Sequence, residues 1–299
     1  MKPLHGPNSG GNGLSAAENG AARTSDRTAA HIGFAVDVVG SGPRVVLVHG
    51  SVMNARATWR QQLPLADSFT LVLPNRSGYP PNPPLEYIDF YEQAAEIAGL
   101  LDDGSHLVGF SYGGVVALLA AAERAESLRS LTLVEPPALG LARGRAEADS
   151  LVLDLAKLVW TGPEEPRAFL LEFMNLFGAK MPLPATLSPK LEQGVRALMV
   201  ERPPWDARFR LDELARAPFP KLVVSGAHSR ALDAACDVLE ERLDAERAVI
   251  PAGSHNIPQT GGPFNEILRP FLLRAEDRAA QPIAASEMKP LVKCEGARG

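Results

Sequence analysis

Gly109-Phe110-Ser111-Tyr112-Gly113 places one hydroxyl between two glycines at a spacing that suits a very tight turn. The residues before it, Leu107-Val108, read as a strand, and those from Val115 to Ala122 read as an uninterrupted apolar helix. A turn that sharp needs a strained backbone at the serine. It also needs no side chain at 109 or 113, where a Cβ would meet the neighbouring strand or helix. The hydroxyl then stands at a helix N-terminus, where backbone N–H groups and the helix dipole favour developing negative charge. The chemistry this suits is nucleophilic attack by serine. A free hydroxyl is a poor nucleophile at neutral pH, so Ser111 needs a base within hydrogen-bond reach.

The elements that must position such a group alternate along the chain. Phe34 to Val39, the turn Gly40-Ser41-Gly42-Pro43 and Arg44 to His49 read as a β-hairpin. The second of these strands is nearly continuous in apolar residues, as in strands buried on both faces. Phe69 to Leu73, Leu131 to Val134, Lys221 to Gly226 and Ala248 to Ile250 are further strands. A helix is expected over Asp89 to Leu101, with Asp89 and Glu92 as a capping box and Phe90, Ala94, Ile97 and Leu101 facing the sheet. Another runs from Asp233 to Leu243, with Asp233 as its N-cap. Cys236 there shares a face with Leu232, Leu239 and Leu243 and reads as a core thiol. The last helix, Pro263 to Leu273, contains Pro270, which should kink or shorten it.

This alternation predicts an α/β fold with a mostly parallel, doubly wound sheet. Between Pro136 and Pro220 it stops. Only helical runs appear there, with Trp160, Phe169, Phe173, Phe177, Trp205 and Phe209. An insertion at that point sits above the C-terminal edge of the sheet, where ligands bind in open α/β folds. The expected division is a disordered arm over 1-28, a core over 29-136 and 219-275, a helical cap over 137-218 and a loose tail over 276-299.

Three motifs in order resemble the α/β-hydrolase superfamily. Val48-His49-Gly50-Ser51 looks like its oxyanion-loop motif, Gly109 to Gly113 like its nucleophile elbow, and Gly253-Ser254-His255-Asn256 like the loop carrying its histidine base. The resemblance covers about Gly33 to Leu273 and implies an α/β-hydrolase fold with an inserted helical cap. It implies Ser111 as nucleophile and His255 as base, with His228, which also ends a strand at that sheet edge, as competitor. His49 would hold its loop rather than move protons, and His106 reads as structural. A serine at 111 excludes the dehalogenase-like branch, which uses aspartate.

The acid departs from the usual pattern. The loop that ordinarily carries it reads Gly226-Ala227-His228-Ser229-Arg230, with Ser229 at the expected carboxylate position. The alternative family position, one strand earlier, holds Glu135, and the order Ser111, Glu135, His255 is retained. A charge at the end of a buried strand needs a partner, and an imidazolium is a good one. Asp233 and Asp237 remain alternatives. The resemblance places the oxyanion hole at the backbone N–H groups of Tyr112 and of Ser51 or Val52. Arg76 and Arg230 read as structural.

The expected reaction is hydrolysis of a small, largely apolar ester, thioester or lactone through an acyl-enzyme. A carbon–carbon hydrolase is the nearest alternative, although Phe110 and Asn256 stand where such enzymes often carry Asn and Trp. A non-catalytic ligand receptor is a further alternative, although such proteins tend to lose a triad member. The spacing of ligands suggests neither metal nor organic cofactor. A net charge of -5 without a basic cluster argues against nucleic acid, and no apolar run reaches membrane-spanning length. The partner expected is a small-molecule substrate. With 2 cysteines and no signal-peptide pattern, the expected location is cytoplasmic.

Overall fold

A computed structural model describes residues 33–178, 182–251 and 254–281. The arm over 1-28, Gly253 and most of the tail over 276-299 lie outside the described residues. In chain order, the first half carries β1 (Val36–Val39), β2 (Arg44–Val48), α1 (Ala55–Thr58), β3 (Thr70–Pro74), α2 (Phe90–Ala98), β4 (Ser105–Phe110), α3 (Tyr112–Glu123) and β5 (Leu128–Val134). Among the described residues, four α-helices follow without a strand: α4 (Ala146–Thr161), α5 (Pro166–Leu176), α6 (Pro189–Met199) and α7 (Leu211–Arg216). The chain returns to the sheet with β6 (Lys221–Ser225), α8 (Arg230–Leu243), β7 (Glu246–Val249) and α9 (Gly262–Ala280).

The seven strands form one sheet in the order β1-β3-β2-β4-β5-β6-β7. Side-chain alternation divides it into two apolar layers. Val46, Val48, Leu107 and Leu133 pack with α2 and α3, and with Cys236 and Leu239 of α8. Val45, Leu47, Val108 and Val134 pack with Trp59 and with Phe264, Leu268 and Phe271 of α9. The central strands are therefore buried on both faces, which explains their continuous apolar sequence.

Three expectations need correction. The first two strands are not a hairpin: β1 pairs antiparallel with β3, and β3 lies between β1 and β2. The half-exposed β1 suits an edge, whereas β2, apolar on both faces, takes β3 and β4 as parallel neighbours. The N-cap of α8 is Ser229, whose hydroxyl accepts from the Leu232 N–H, not Asp233. Finally, α9 neither stops at Leu273 nor gives way to a tail at Glu276. Ala275 is buried, and Glu276 accepts a hydrogen bond from Arg129 Nε at 2.9 Å. This packing outweighs the backbone bond lost at Pro270. At α2, Asp89 caps the helix by accepting from the Tyr91 N–H, with Glu92 in the first turn.

Candidate active site

Strand β4 ends at Phe110, and α3 begins two residues later. Ser111 between them has φ 54° and ψ −129°. Its N–H is fixed to the Val134 carbonyl at 2.9 Å. A Cβ at Gly109 would lie 2.5 Å from the Gly113 carbonyl oxygen, and one at Gly113 would lie 2.3 Å from that of His49. Both are backbone contacts that cannot yield, so the two glycines are a steric requirement of this turn.

Glu135 follows β5 with φ 42°, and its N–H bonds to the Val224 carbonyl at 3.0 Å. Its carboxylate is fully buried. Oε1 accepts from the Gly226 N–H at 2.6 Å, and Oε2 meets His255 Nδ1 at 2.7 Å. His255 Nε2 lies 2.8 Å from Ser111 Oγ. The fold thus brings Ser111, His255 and Glu135 into one continuous chain of hydrogen bonds. Phe110 and Phe177 flank the imidazole, each with its ring centre 5.1 Å away.

Asp233 and Asp237 are not part of this chain. They face Arg247 at 3.7 and 3.5 Å, and Asp237 also meets Arg145. His228 sits instead on the other side of the acid. Its Nδ1 is 3.2 Å from Glu135 Oε1, without hydrogen-bond alignment, and its Nε2 is 3.1 Å from the Phe177 carbonyl. The loop that would ordinarily carry the acid therefore contacts it twice, through Gly226 and His228. Burial pushes the Glu135 carboxyl up, but the close approach of His228 and His255 outweighs it and holds the group at about 2. The same contact raises His228 above its ordinary value. Glu135, His228 and His255 offer ligand atoms within 4.8 Å of one another, a grouping that no sequence spacing reveals. A divalent ion there would have to break the contact between His255 Nδ1 and Glu135 Oε2.

His49, Gly50, Ser51 and Val52 form the loop after β2. A Cβ on Gly50 would lie 2.9 Å from Ser111 Cβ, so this backbone presses against the serine. His49 is buried and neutral: burial and the nearby Arg76 hold its pKa well below the ordinary value. Its Nδ1 donates to the Gly50 carbonyl at 2.7 Å, and its Nε2 accepts from the Arg76 N–H at 2.9 Å. Val52 has φ 73°, which in a β-branched residue costs on the order of 1–3 kcal/mol. Tyr112 N–H begins α3, where it has no partner within the helix. Arg230 is exposed at the start of α8, and buried His106 meets Ser130 Oγ at 2.7 Å.

A cavity of about 40 Å³ opens on Ser111 and Ser51. Its walls are mostly apolar side chains of the helical insertion, including Leu155, Leu158, Phe169 and Phe173. One carboxylate also lines it: Glu201, just after α6. Nothing in the residues around Glu201 marks it out in sequence from a surface glutamate.

A mostly parallel seven-stranded sheet with a serine on a strained strand-to-helix turn defines an α/β-hydrolase. Residues 45–296 match the model of the alpha/beta hydrolase family, and the chain belongs to that family and is an enzyme of that class. It is 30% identical over 260 residues to a pimeloyl-[acyl-carrier protein] methyl ester esterase of Aeromonas salmonicida, spanning 79% of this chain and 98% of that one. It is 27% identical over 256 residues to a putative non-heme chloroperoxidase of Synechocystis, covering 78% of this chain and 92% of the relative. Among solved structures it resembles a bromoperoxidase from Bacillus anthracis, with a TM-score of 0.61, 19% identity and coverage of 80% and 94%. No helix among the described residues is long and apolar enough to cross a membrane.

Proposed function

We propose that this protein hydrolyses a small, largely apolar ester through an acyl-enzyme on Ser111. The observation that carries the reading is His255, whose two ring nitrogens bridge Ser111 Oγ and Glu135 Oε2. Ser111 Oγ attacks the ester carbonyl while its proton passes to His255 Nε2. The new imidazolium is held by the Glu135 carboxylate, which orients the ring and stabilises its charge. The N–H groups of Tyr112 and of Ser51 or Val52 hold the oxyanion. The protonated Nε2 then gives its proton to the departing alcohol. Water, deprotonated in turn by His255, releases the acid and restores Ser111.

The apolar walls favour an uncharged acyl group, and the helical insertion acts as a cap over it. An ester, rather than a thioester or lactone, is favoured by the relative named as a methyl ester esterase. Titration with a phosphonate reactive towards serine tests the reading. One phosphonate per chain on Ser111, absent in Ser111→Ala, is expected. A folded wild type that takes up none would indicate a binding scaffold instead.

A further inference from the structure

Glu201 is anchored through its neighbours in the chain. The Ile88 N–H donates to the Val200 carbonyl at 3.0 Å, and the Arg202 N–H donates to the Ile88 carbonyl at 2.8 Å. Its side chain is 4% exposed. Oε1 accepts from Arg76 Nη2 at 2.7 Å and from Tyr79 OH at 2.8 Å, while Oε2 accepts from Ser51 Oγ at 2.5 Å. Three donors on two oxygens leave little capacity for a substrate, although the residue lines the cavity.

These contacts converge on one peptide group. Arg76 Nη2 also donates to the Gly50 carbonyl at 3.1 Å, the same oxygen that His49 Nδ1 reaches. In a trans peptide the C=O and N–H point in opposite directions. Pinning the Gly50 carbonyl therefore turns the Ser51 N–H the other way. Among the described residues no backbone carbonyl accepts it. The next residue is held from the same side: Gly194 of α6 lies so close that a Cβ there would come within 1.9 Å of the Val52 carbonyl oxygen.

We infer that Glu201 is a positioning residue for the oxyanion hole. Acting through Arg76 and Ser51, it fixes the Gly50–Ser51 peptide with its N–H free for the reaction, so the helical insertion sets the geometry of a donor that the core strand β2 carries. The inference rests on Ser111 being the nucleophile.

The test compares wild type with Glu201→Gln, Ser51→Ala, the double variant and Ser111→Ala. Two readouts are used: p-nitrophenyl ester kinetics, and the affinity of a trifluoromethyl ketone that adds to the serine as a tetrahedral oxyanion. Glu201→Gln should lower kcat by roughly tenfold to a hundredfold, less than the loss of a whole donor. KM should stay within about threefold, and ketone affinity should fall by the same factor as kcat. Ser51→Ala, which keeps the backbone N–H and the buried ion pair, should lose less. The double variant should be no worse than Glu201→Gln alone. Should Glu201→Gln fail to fold, Ser51→Ala still decides, through matching losses in kcat and ketone affinity. Wild-type kcat and ketone affinity in both single variants, with Ser111→Ala inactive, overturns the inference alone. Turnover surviving in Ser111→Ala overturns the reading on which it rests.

Discussion

Val52, Ser111, Glu135 and Ala227 are four of the five non-glycine residues at positive φ among those described, and they lie in the segments that follow β2, β4, β5 and β6. Strain of this kind persists only where the surroundings over-determine it, which is common at functional sites. At Ser111 and Glu135 it aims two polar side chains at one imidazole. The low Glu135 pKa ties that aim to stability. A carboxyl ordinarily at 4.5 and held at about 2 contributes stability that is present above 4.5 and lost as pH falls towards 2. Melting temperature against pH should therefore fall more steeply below pH 4.5 in wild type than in Glu135→Gln. Equal slopes would mean that the carboxylate is not held by His255 and His228. The serine and the histidine were legible from their glycine-flanked loops. Glu135 was legible only as one of three acids, because the deciding fact is which carboxylate reaches the imidazole across the sheet edge. His228 was legible as a base competitor but not as a contact of the acid, and Glu201 was not legible at all, since its partners are 125 and 150 residues away.

The elements that hold these residues leave little room for substitution. Gly113→Ala should destabilise by several kcal/mol or prevent folding, since its Cβ would fall on the β2 backbone. A soluble variant with wild-type melting temperature and activity would count against the turn described here. The alternation of strands and helices was legible because buried parallel strands are apolar on both faces. The pairing of β1 was not, because Gly40 to Pro43 suit a hairpin turn locally while β3, distant in sequence, competes for the same edge. At the C-terminal end, Pro270 suggested a kinked or shortened helix, but Phe271 and Leu272 pack against the sheet, Ala275 is buried, and α9 runs on to Ala280. Deleting residues 274–299 should therefore lower stability by about 1–3 kcal/mol, from buried Ala275 and the Arg129–Glu276 contact. An unchanged denaturant midpoint would restore the picture of a dispensable tail.

Across the whole molecule, a sheet edge carrying Ser111, Glu135 and His255 faces a helical insertion that supplies apolar walls. The insertion was recognisable as a stretch without strands. Phe169, Phe173, Phe177 and Trp205 line the cavity, while Trp160 is exposed. Phe173→Ala should accordingly extend the range of accepted acyl chains, seen as a shift of the kcat/KM optimum towards longer esters. An unmoved optimum would put the acyl chain elsewhere. Hydrolysis of p-nitrophenyl esters of graded length by wild type, Ser111→Ala, Glu135→Ala and Asp233→Ala tests whether Ser111 and Glu135 do the chemistry. Wild type should turn over short esters, with Ser111→Ala slower by about six orders of magnitude. Glu135→Ala should be slower by about four orders, and Asp233→Ala should lie within a few-fold of wild type. Full activity in Ser111→Ala, or no hydrolysis of any ester by wild type, would rule out a serine ester hydrolase working through Ser111.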